Sequence, residues 1–194
     1  MVAHFSGLPW EGKGDDFEFA DVKPTAPFGQ LPLLYVDGDE ANPIAQCTAI
    51  AAAIGRMAGT DGGAGRDYAR SVMLVAEAED IYNAMVKDNA SYMVALGERG
   101  KGGEDANREL WAATLPRHMG YLEKMLGESA AFTSTGETVG ELYLFGMLHQ
   151  LVLCRGPDAA GTHTPPQLRL TLSTFCGIRW VDSGCQRQKL LRLR

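Results

Sequence analysis

The chain has 194 residues, 45% of them hydrophobic and 22% charged, with a net charge of −6. That is enough apolar material for a buried core in one domain or two small ones. The acidic balance excludes the basic footprint that nucleic acid or an anionic membrane surface requires. No run approaches the ~20 apolar residues of a membrane-spanning helix.

The charge is unevenly spread. Residues 155–194 carry seven Arg or Lys against two acids, whereas the first 154 carry 11 bases against 22 acids. The basic tail is compositionally foreign to the body, and such a stretch suits an acidic partner or plain solvation. The four cysteines, Cys47, Cys154, Cys176 and Cys185, lie far apart without a C-x-x-C pair. That spacing is a poor disulfide framework and a poor zinc site, and it reads as reduced thiols in a reducing compartment. The opening MVAHFSGLPWEGK lacks the charged-then-apolar order of a secretion signal.

In chain order, Asp16 to Val22 alternates at period two, the pattern of a half-buried strand. LPLLYV, from Leu31 to Val36, is a short apolar strand followed by the turn pair Asp37-Gly38. A helix opens at Gln46-Cys47-Thr48 and runs through small apolar residues to Met57. Gly59 to Gly65 is a Gly-rich break and the expected linker between two units. From Tyr68 to about Leu96 a long helix is expected, with Val72, Val75, Ala76, Ile81, Met85, Val86 and Met93 on one face. Gly100-Lys101-Gly102-Gly103 is a loop. A second helix spans Asp105 to Leu126, with Leu110, Leu115, Met119, Leu122 and Met125 inside and a Pro at 116 that would kink it. Thr138-Val139-Gly140-Glu141 is a capping box, and the apolar run to Cys154 behind it reads as a buried helix. Beyond Pro157 the segment LRLTLSTF suits strand or helix alike.

The chemistry concentrates in residues 27–58, PFGQLPLLYVDGDEANPIAQCTAIAAAIGRMA. Here an extended approach to Pro32 precedes a strand, an acidic turn and a helix start, an arrangement that could grip a small ligand by its backbone. This order, aromatic-Gly-Gln-Leu-Pro, a strand, then Gln-Cys-Thr-Ala-Ile and Gly55-Arg56, resembles the cytosolic glutathione S-transferases, closest in style to sigma-like members. GELYLFGMLHQL resembles the capping-box helix of that family's helical domain, and the resemblance covers roughly Leu8 to Cys154.

The resemblance implies a thioredoxin-like α/β domain at residues 1–60, an all-α helical bundle domain at 66–155, and an atypical tail at 156–194. It implies a chain that conjugates the thiolate of glutathione to small electrophiles, without a metal, as a cytoplasmic homodimer. In the family, the residue before a cis-Pro gives its backbone N–H and C=O to the cysteinyl part of glutathione; that maps to Leu31 and Pro32, in the turn that contains Gln30. Gln46 and Cys47 match the Gln-Ser pair that binds the γ-glutamyl carboxylate at a helix N-terminus. Cys replaces Ser there, its thiol is a weaker donor, and the helix start favours its thiolate. The same residues also read as a plain helix start capped by Thr48. Lys23 matches the base that pairs with the glycyl carboxylate, although a lone Lys before Pro is usually solvated. Asp80 is placed like the acid that reaches the partner subunit's glutathione, or on a solvated helix face. Phe19 falls where many members have a hydrogen-bonding Trp.

The family's catalytic hydroxyl, on a first strand, has no visible counterpart, so the catalytic residue is unknown. The expected reading is that Met1 to Gly12 holds the end of the first helix and the turn into the second strand, with about twenty residues of the family pattern missing ahead of it. An alternative lays Val2-Ala3-His4-Phe5 on the first strand. Two further functional readings stand beside conjugation: a non-catalytic structural or assembly subunit, and a thiol-disulfide enzyme using Cys47, for which no resolving cysteine is nearby. His118, His149 and His163 lack metal-ligand spacing, and GTDGGAG lacks the ending of a phosphate loop.

Overall fold

A computed structural model describes residues 2–13, 17–87, 110–127, 129, 131–155 and 190–193. The expected continuation of the first long helix past Lys87, the Gly100–Gly103 loop, the second helix before Leu110, and the tail apart from 190–193 lie outside the described residues. So do the side chains of Met85, Val86 and His149.

A short helix α1 (Val2–Phe5) leads through a turn into β1 (Trp10–Lys13). Val2–Phe5 is therefore helical, which overturns the alternative that set it on a strand. Helix α2 (Phe19–Val22) follows, continued by a 3₁₀ turn at Lys23–Thr25. The expected strand over Asp16–Val22 is corrected accordingly. Period-two alternation across seven residues cannot choose by itself between strand and helix, and here Phe17 reaches the core from the bend before α2 and Val22 from the end of α2.

Strand β2 (Leu33–Val36) ends in a turn where Asp37 and Gly38 take φ of 53° and 74°. That pair of left-handed residues is the geometry an Asp-Gly dipeptide favours. Strand β3 (Ile44–Ala45) pairs antiparallel with β2, Leu33 opposite Ala45 and Leu34 opposite Ile44. Helix α3 (Cys47–Ala58) leaves β3 directly and stops at Gly59, whose φ is 69°. The N–H of Thr60 reaches back to the Gly55 carbonyl at 2.8 Å, a Schellman closure.

The sheet has four strands in the order β1-β4-β2-β3, and β4 (Leu190–Leu193) comes from the basic tail. It runs antiparallel to β1 and parallel to β2. Residues 190–193 of the basic tail, a stretch that suits an acidic partner or plain solvation by composition, thus contribute an inner strand. One sheet face packs Leu34 against Ala3, Ile50 and Ile54 of α1 and α3. The other packs Leu33 and Tyr35 with Ala26 and Ala45 under the α2 turn.

The helical side comprises α4 (Arg66–Lys87), a π-helical turn at Leu110–Thr114, α5 (Leu115–Leu126) and α6 (Val139–Arg155). Pro116 sits in the first turn of α5, where its missing N–H is harmless; the irregularity expected there takes the form of the π turn just before it. Leu74, Ala78, Ile81, Leu115, Met119, Leu122, Leu144 and Leu148 form the shared core.

The buried face of α4 matches the expected one at Ile81 but not at Val72 or Ala76. Ser71, Leu74, Ala78 and Ile81 point inward, whereas Val72 and Ala76 are exposed and Val75 is half-buried. The helix carries two apolar stripes, and the outer one dominates the sequence pattern. Glycines set the closest helix approaches. A Cβ at Gly140 would lie 2.1 Å from the Ser71 carbonyl oxygen, and one at Gly55 would lie 2.5 Å from a Val139 methyl.

The capping box forms, and it does more than cap. The Thr138 N–H donates to Glu141 Oε2 at 2.8 Å, and the other oxygen accepts the Phe132 N–H at 2.7 Å. Burial pushes the Glu141 carboxyl above its usual range, against the pull of these donors. Among the described residues, no helix is long and apolar enough to cross a membrane.

Candidate functional site

The site is organised by one hairpin register. The Leu31–Pro32 peptide bond, directly before β2, is cis. The β2–β3 pairing sets Leu33 opposite Ala45. One step further in the same register brings Pro32 opposite Gln46, the residue that opens α3. Leu31 and Pro32 are half-buried, while Gln30 is exposed in the turn before them.

Gln46 holds φ 76° and ψ 125°, a conformation rarely adopted by any residue with a side chain. A backbone of that kind costs about 1–3 kcal/mol and persists where the surroundings enforce it. Its enforcement here is local: β3 ends at Ala45, α3 starts at Cys47, and the Gln46 carbonyl accepts the Ile50 N–H at 2.9 Å. No side-chain hydrogen bond caps the helix start. The N–H groups of its first turn therefore have no partner within the helix, and a helix start of this kind favours an anion. Thr48, half-buried, does not cap it.

Cys47 is exposed at this start, yet its thiol is shifted upward, by the protein packed around the sulfur and then by the charge of Glu79. This corrects the expectation of a favoured thiolate. The helix start is outweighed by desolvation and a neighbouring carboxylate. Glu79 on α4 in turn accepts the hydroxyl of Tyr143 from α6. Burial, followed by that bond, pushes the Tyr143 hydroxyl well above its usual range.

Lys23 is exposed on the 3₁₀ turn, and its stem passes 3.7 Å from where a side chain at Gly29 would begin. That lays Lys23 along the turn that leads to Gln30 and Leu31. Phe19 is 38% exposed on α2. Asp80 is exposed on α4, one residue beyond Glu79. The hairpin thus brings together Leu31, Pro32, Gln46 and Cys47, with Gln30 and Lys23 on the approach, while Asp80 belongs to the helical side. Glu79, close enough to shift Cys47, was missed in sequence because its spacing to Cys47 carries no motif.

Two hydroxyls that could have acted are otherwise engaged. Tyr35 is only 5% exposed, within the sheet core. Ser6 donates to the Ala3 carbonyl at 2.7 Å and accepts the Leu8 N–H at 3.1 Å. Among the described residues, no cluster of three or more metal-ligand side chains occurs.

A groove of about 660 Å³ runs between α3 and α4, lined by Thr48, Ala52, Arg56, Tyr68, Ser71 and Val72. Beside it Met57, Tyr68, Val72 and Met73 form an exposed apolar stripe. Arg56 bridges to the nearly buried Asp61 at 2.8 Å, closing one end.

No family model matches the chain. It is 29% identical over 142 residues to glutathione S-transferase 1 of Ascaris suum, across 72% of this chain and 65% of that protein. It is 31% identical over 130 residues to probable glutathione S-transferase 8 of Caenorhabditis elegans, across 66% of this chain and 55% of that one. The chain thus spans less than two thirds of the length of these curated relatives. Among solved structures, the glutathione S-transferase from Ascaris lumbricoides superposes with a TM-score of 0.72 at 24% identity, over 90% of this chain and 82% of that one. Rat hPGDS complexed with a quinoline gives 0.69 at 19% identity, over 91% and 82%. The fold is therefore a thioredoxin-like domain with a helical domain.

Proposed function

We propose that the chain is a glutathione S-transferase, from its sequence likeness to proteins of that name and its shared fold, and that it binds glutathione and presents the thiol to a small electrophile. The observation that carries this reading is the cis Leu31–Pro32 bond set across the hairpin from the open start of α3. In this reading the main-chain N–H and C=O of Leu31 clamp the cysteinyl part of the tripeptide. The γ-glutamyl carboxylate lies at the first turn of α3, beside Gln46 and Cys47, and its charge favours that end of the helix. Lys23 takes the glycyl carboxylate as a point charge, and Gln30 lines the turn between them. Asp80 is assigned to the amine of a glutathione held by a second copy.

Conjugation joins the glutathione sulfur to the electrophilic atom; the thiol proton goes to solvent, and any leaving group departs with its electron pair. Tyr35 and Ser6 are both engaged, so the described residues contribute chiefly by holding the thiol in line with the electrophile, which can itself lower a barrier substantially. The catalytic residue is left unassigned. The electrophile would lie against the helical side, which fits a division into residues 1–60 and 66–155. A homodimer accords with the exposed stripe of Tyr68, Val72 and Met73 on α4, and a cytoplasmic location with free Cys47. The sigma-like subclass rests on the motif alone.

The test is retention on immobilised glutathione together with conjugation of a generic aromatic electrophile. Retention that disappears in Gln46→Ala is the expected result. Absence of binding at millimolar glutathione would overturn the assignment. Binding without conjugation would favour the non-catalytic subunit.

A further inference from the structure

Two patterns of hydroxyl-x-x-Glu stand in tandem ahead of α6, Ser134 to Glu137 and Thr138 to Glu141. By spacing alone each fits a capping box. The structure gives that role to the second, whose Thr138 and Glu141 are buried and bonded to each other. In the first, Ser134, Thr135 and Glu137 are exposed. The Ser134 hydroxyl turns instead to α4, where it donates to Oδ2 of Asp67. The N–H groups of Ser134 and Thr135 donate to the same oxygen, each at 3.1 Å. Three donors thus converge on one oxygen of a nearly buried carboxylate. This clasp lies where the two parts of the chain meet. Gly62 packs so closely on it that a Cβ there would lie 2.7 Å from the Asp67 carbonyl carbon. The Val139 N–H, at the start of α6, donates to the Thr60 carbonyl at 2.7 Å.

We propose that Ser134 is a phosphorylation site for a kinase that selects an acid three residues after the hydroxyl, and that the phosphate opens the Asp67 clasp. Three observations carry it. First, Ser134 is exposed in the stretch between α5 and α6, whose described residues hold no helix or strand. Surface segments of that kind are the ones a modifying enzyme can reach. Second, the Ser134-x-x-Glu137 pattern has no capping role, since Ser134 bonds Asp67 and the cap belongs to Thr138. Glu137 is left exposed at the position such a kinase reads. Third, the modification strikes the clasp directly. The Ser134 oxygen bonds the terminal phosphorus of ATP, ADP leaves with the electron pair of the broken bond, and the hydroxyl proton goes to a base of the kinase. One of the three donors to Asp67 is then gone, and a charge of about −1.5 to −2 stands against a carboxylate that is already ionised. Arg70, one turn further along α4, donates to the Phe132 carbonyl at 3.0 Å. It offers the phosphate a cation on the same face, at the expense of that bond. The Phe132 N–H is held by Glu141, so a shift of this segment passes to the start of α6.

The switch goes beyond the glutathione reading and does not depend on it. In the experiment the folded full-length chain is incubated with ATP, Mg²⁺ and an acid-directed serine/threonine kinase, and the product is mapped by mass spectrometry. One phosphoryl group on Ser134 is expected, none at that position in Ser134→Ala, and much less in Glu137→Gln. Amide hydrogen exchange then compares the phosphorylated chain with the unmodified one. The Ser134 and Thr135 amides should exchange at least about tenfold faster after phosphorylation, with the α5 amides unchanged. Ser134→Ala loses the same donor without gaining charge, so its acceleration should be smaller. Phosphate that stays off Ser134, or that goes to Thr135 instead, would overturn the site. Unaltered exchange in the phosphorylated chain would overturn the switch, and so would an equal acceleration in Ser134→Ala.

Discussion

The helical side and the sheet side of this molecule are held together in different ways. The α4–α5–α6 core is built from stripes that recur every three or four residues, with the local Thr138–Glu141 box and the long-range Ser71–Gly140 contact among its buried polar anchors. The sheet side draws its four strands from both extremes of the described sequence. Its candidate-site features are backbone conformations, a cis bond and a left-handed Gln46. A periodic core tolerates local error and resists opening, whereas a sheet assembled from distant pieces depends on each piece. The candidate site lies on the second kind of structure, next to the first.

Four measurements would sharpen or break that contrast. The largest effect is expected in the helical core. Leu74 is fully buried, so Leu74→Ala should remove about 3 kcal/mol of unfolding free energy in a urea titration. A loss below about 1 kcal/mol would mean that the α4 face is not the centre of that core. Next is Glu141→Ala, which strips the Thr138 and Phe132 N–H groups of their acceptor. About 2 kcal/mol is expected for two orphaned donors at a helix start. Both variants should retain glutathione while folded, and loss of retention in the folded state would deny the separation of the two sides.

Gln46→Gly should divide stability from binding. Glycine relieves the left-handed backbone, so thermal stability should hold or rise by up to about 1 kcal/mol, while retention on glutathione falls. A destabilised protein would show that the Gln46 side chain, not its backbone, supports the hairpin.

The last prediction concerns acid. Asp61 is held below the usual carboxylate range first by its hydrogen bond from Arg56, and Asp67 by that from Ser134. A folded value below the unfolded one means stabilisation that is present above about pH 4 and is lost as pH falls through the folded values. The urea midpoint should therefore drop between pH 5 and pH 3, and less steeply in Asp67→Asn. A midpoint that rises on acidification would reverse the sign of the argument.

Much of the site could be read from local sequence because its features are local. An aromatic-Gly-Gln-Leu-Pro turn, an Asp-Gly pair and a Thr-x-x-Glu box each act over four or five residues. The turn, the hairpin and the box appear in the structure at those positions. What could not be read depends on distant neighbours. Of the stripe expected on α4, Ile81 is interior, but Val72 and Ala76 are exposed and Leu74 and Ala78 fill the core in their place. Amphipathic spacing locates apolar faces without saying which one meets α6. The Asp16–Val22 alternation failed for a related reason, since the core accepts Phe17 from a bend and Val22 from a helix as readily as from a strand. The Cys47 thiol went the opposite way from its helix position because protein packs around the sulfur and, second, because the Glu79 carboxylate on α4 lies at a spacing that no motif records.

By itself the sequence located the local features: the Leu31–Pro32 turn, the start of α3 at Cys47, and the capped start of α6. Those depend on dihedral preferences and hydrogen bonds closed within a few residues. Only the tertiary structure decided which face of α4 is buried, which carboxylate meets Cys47, and that residues 190–193 stand at the centre of the sheet. Those choices are made by surfaces brought together from far apart along the chain, where burial of apolar area and pairing of main-chain groups outweigh local preference.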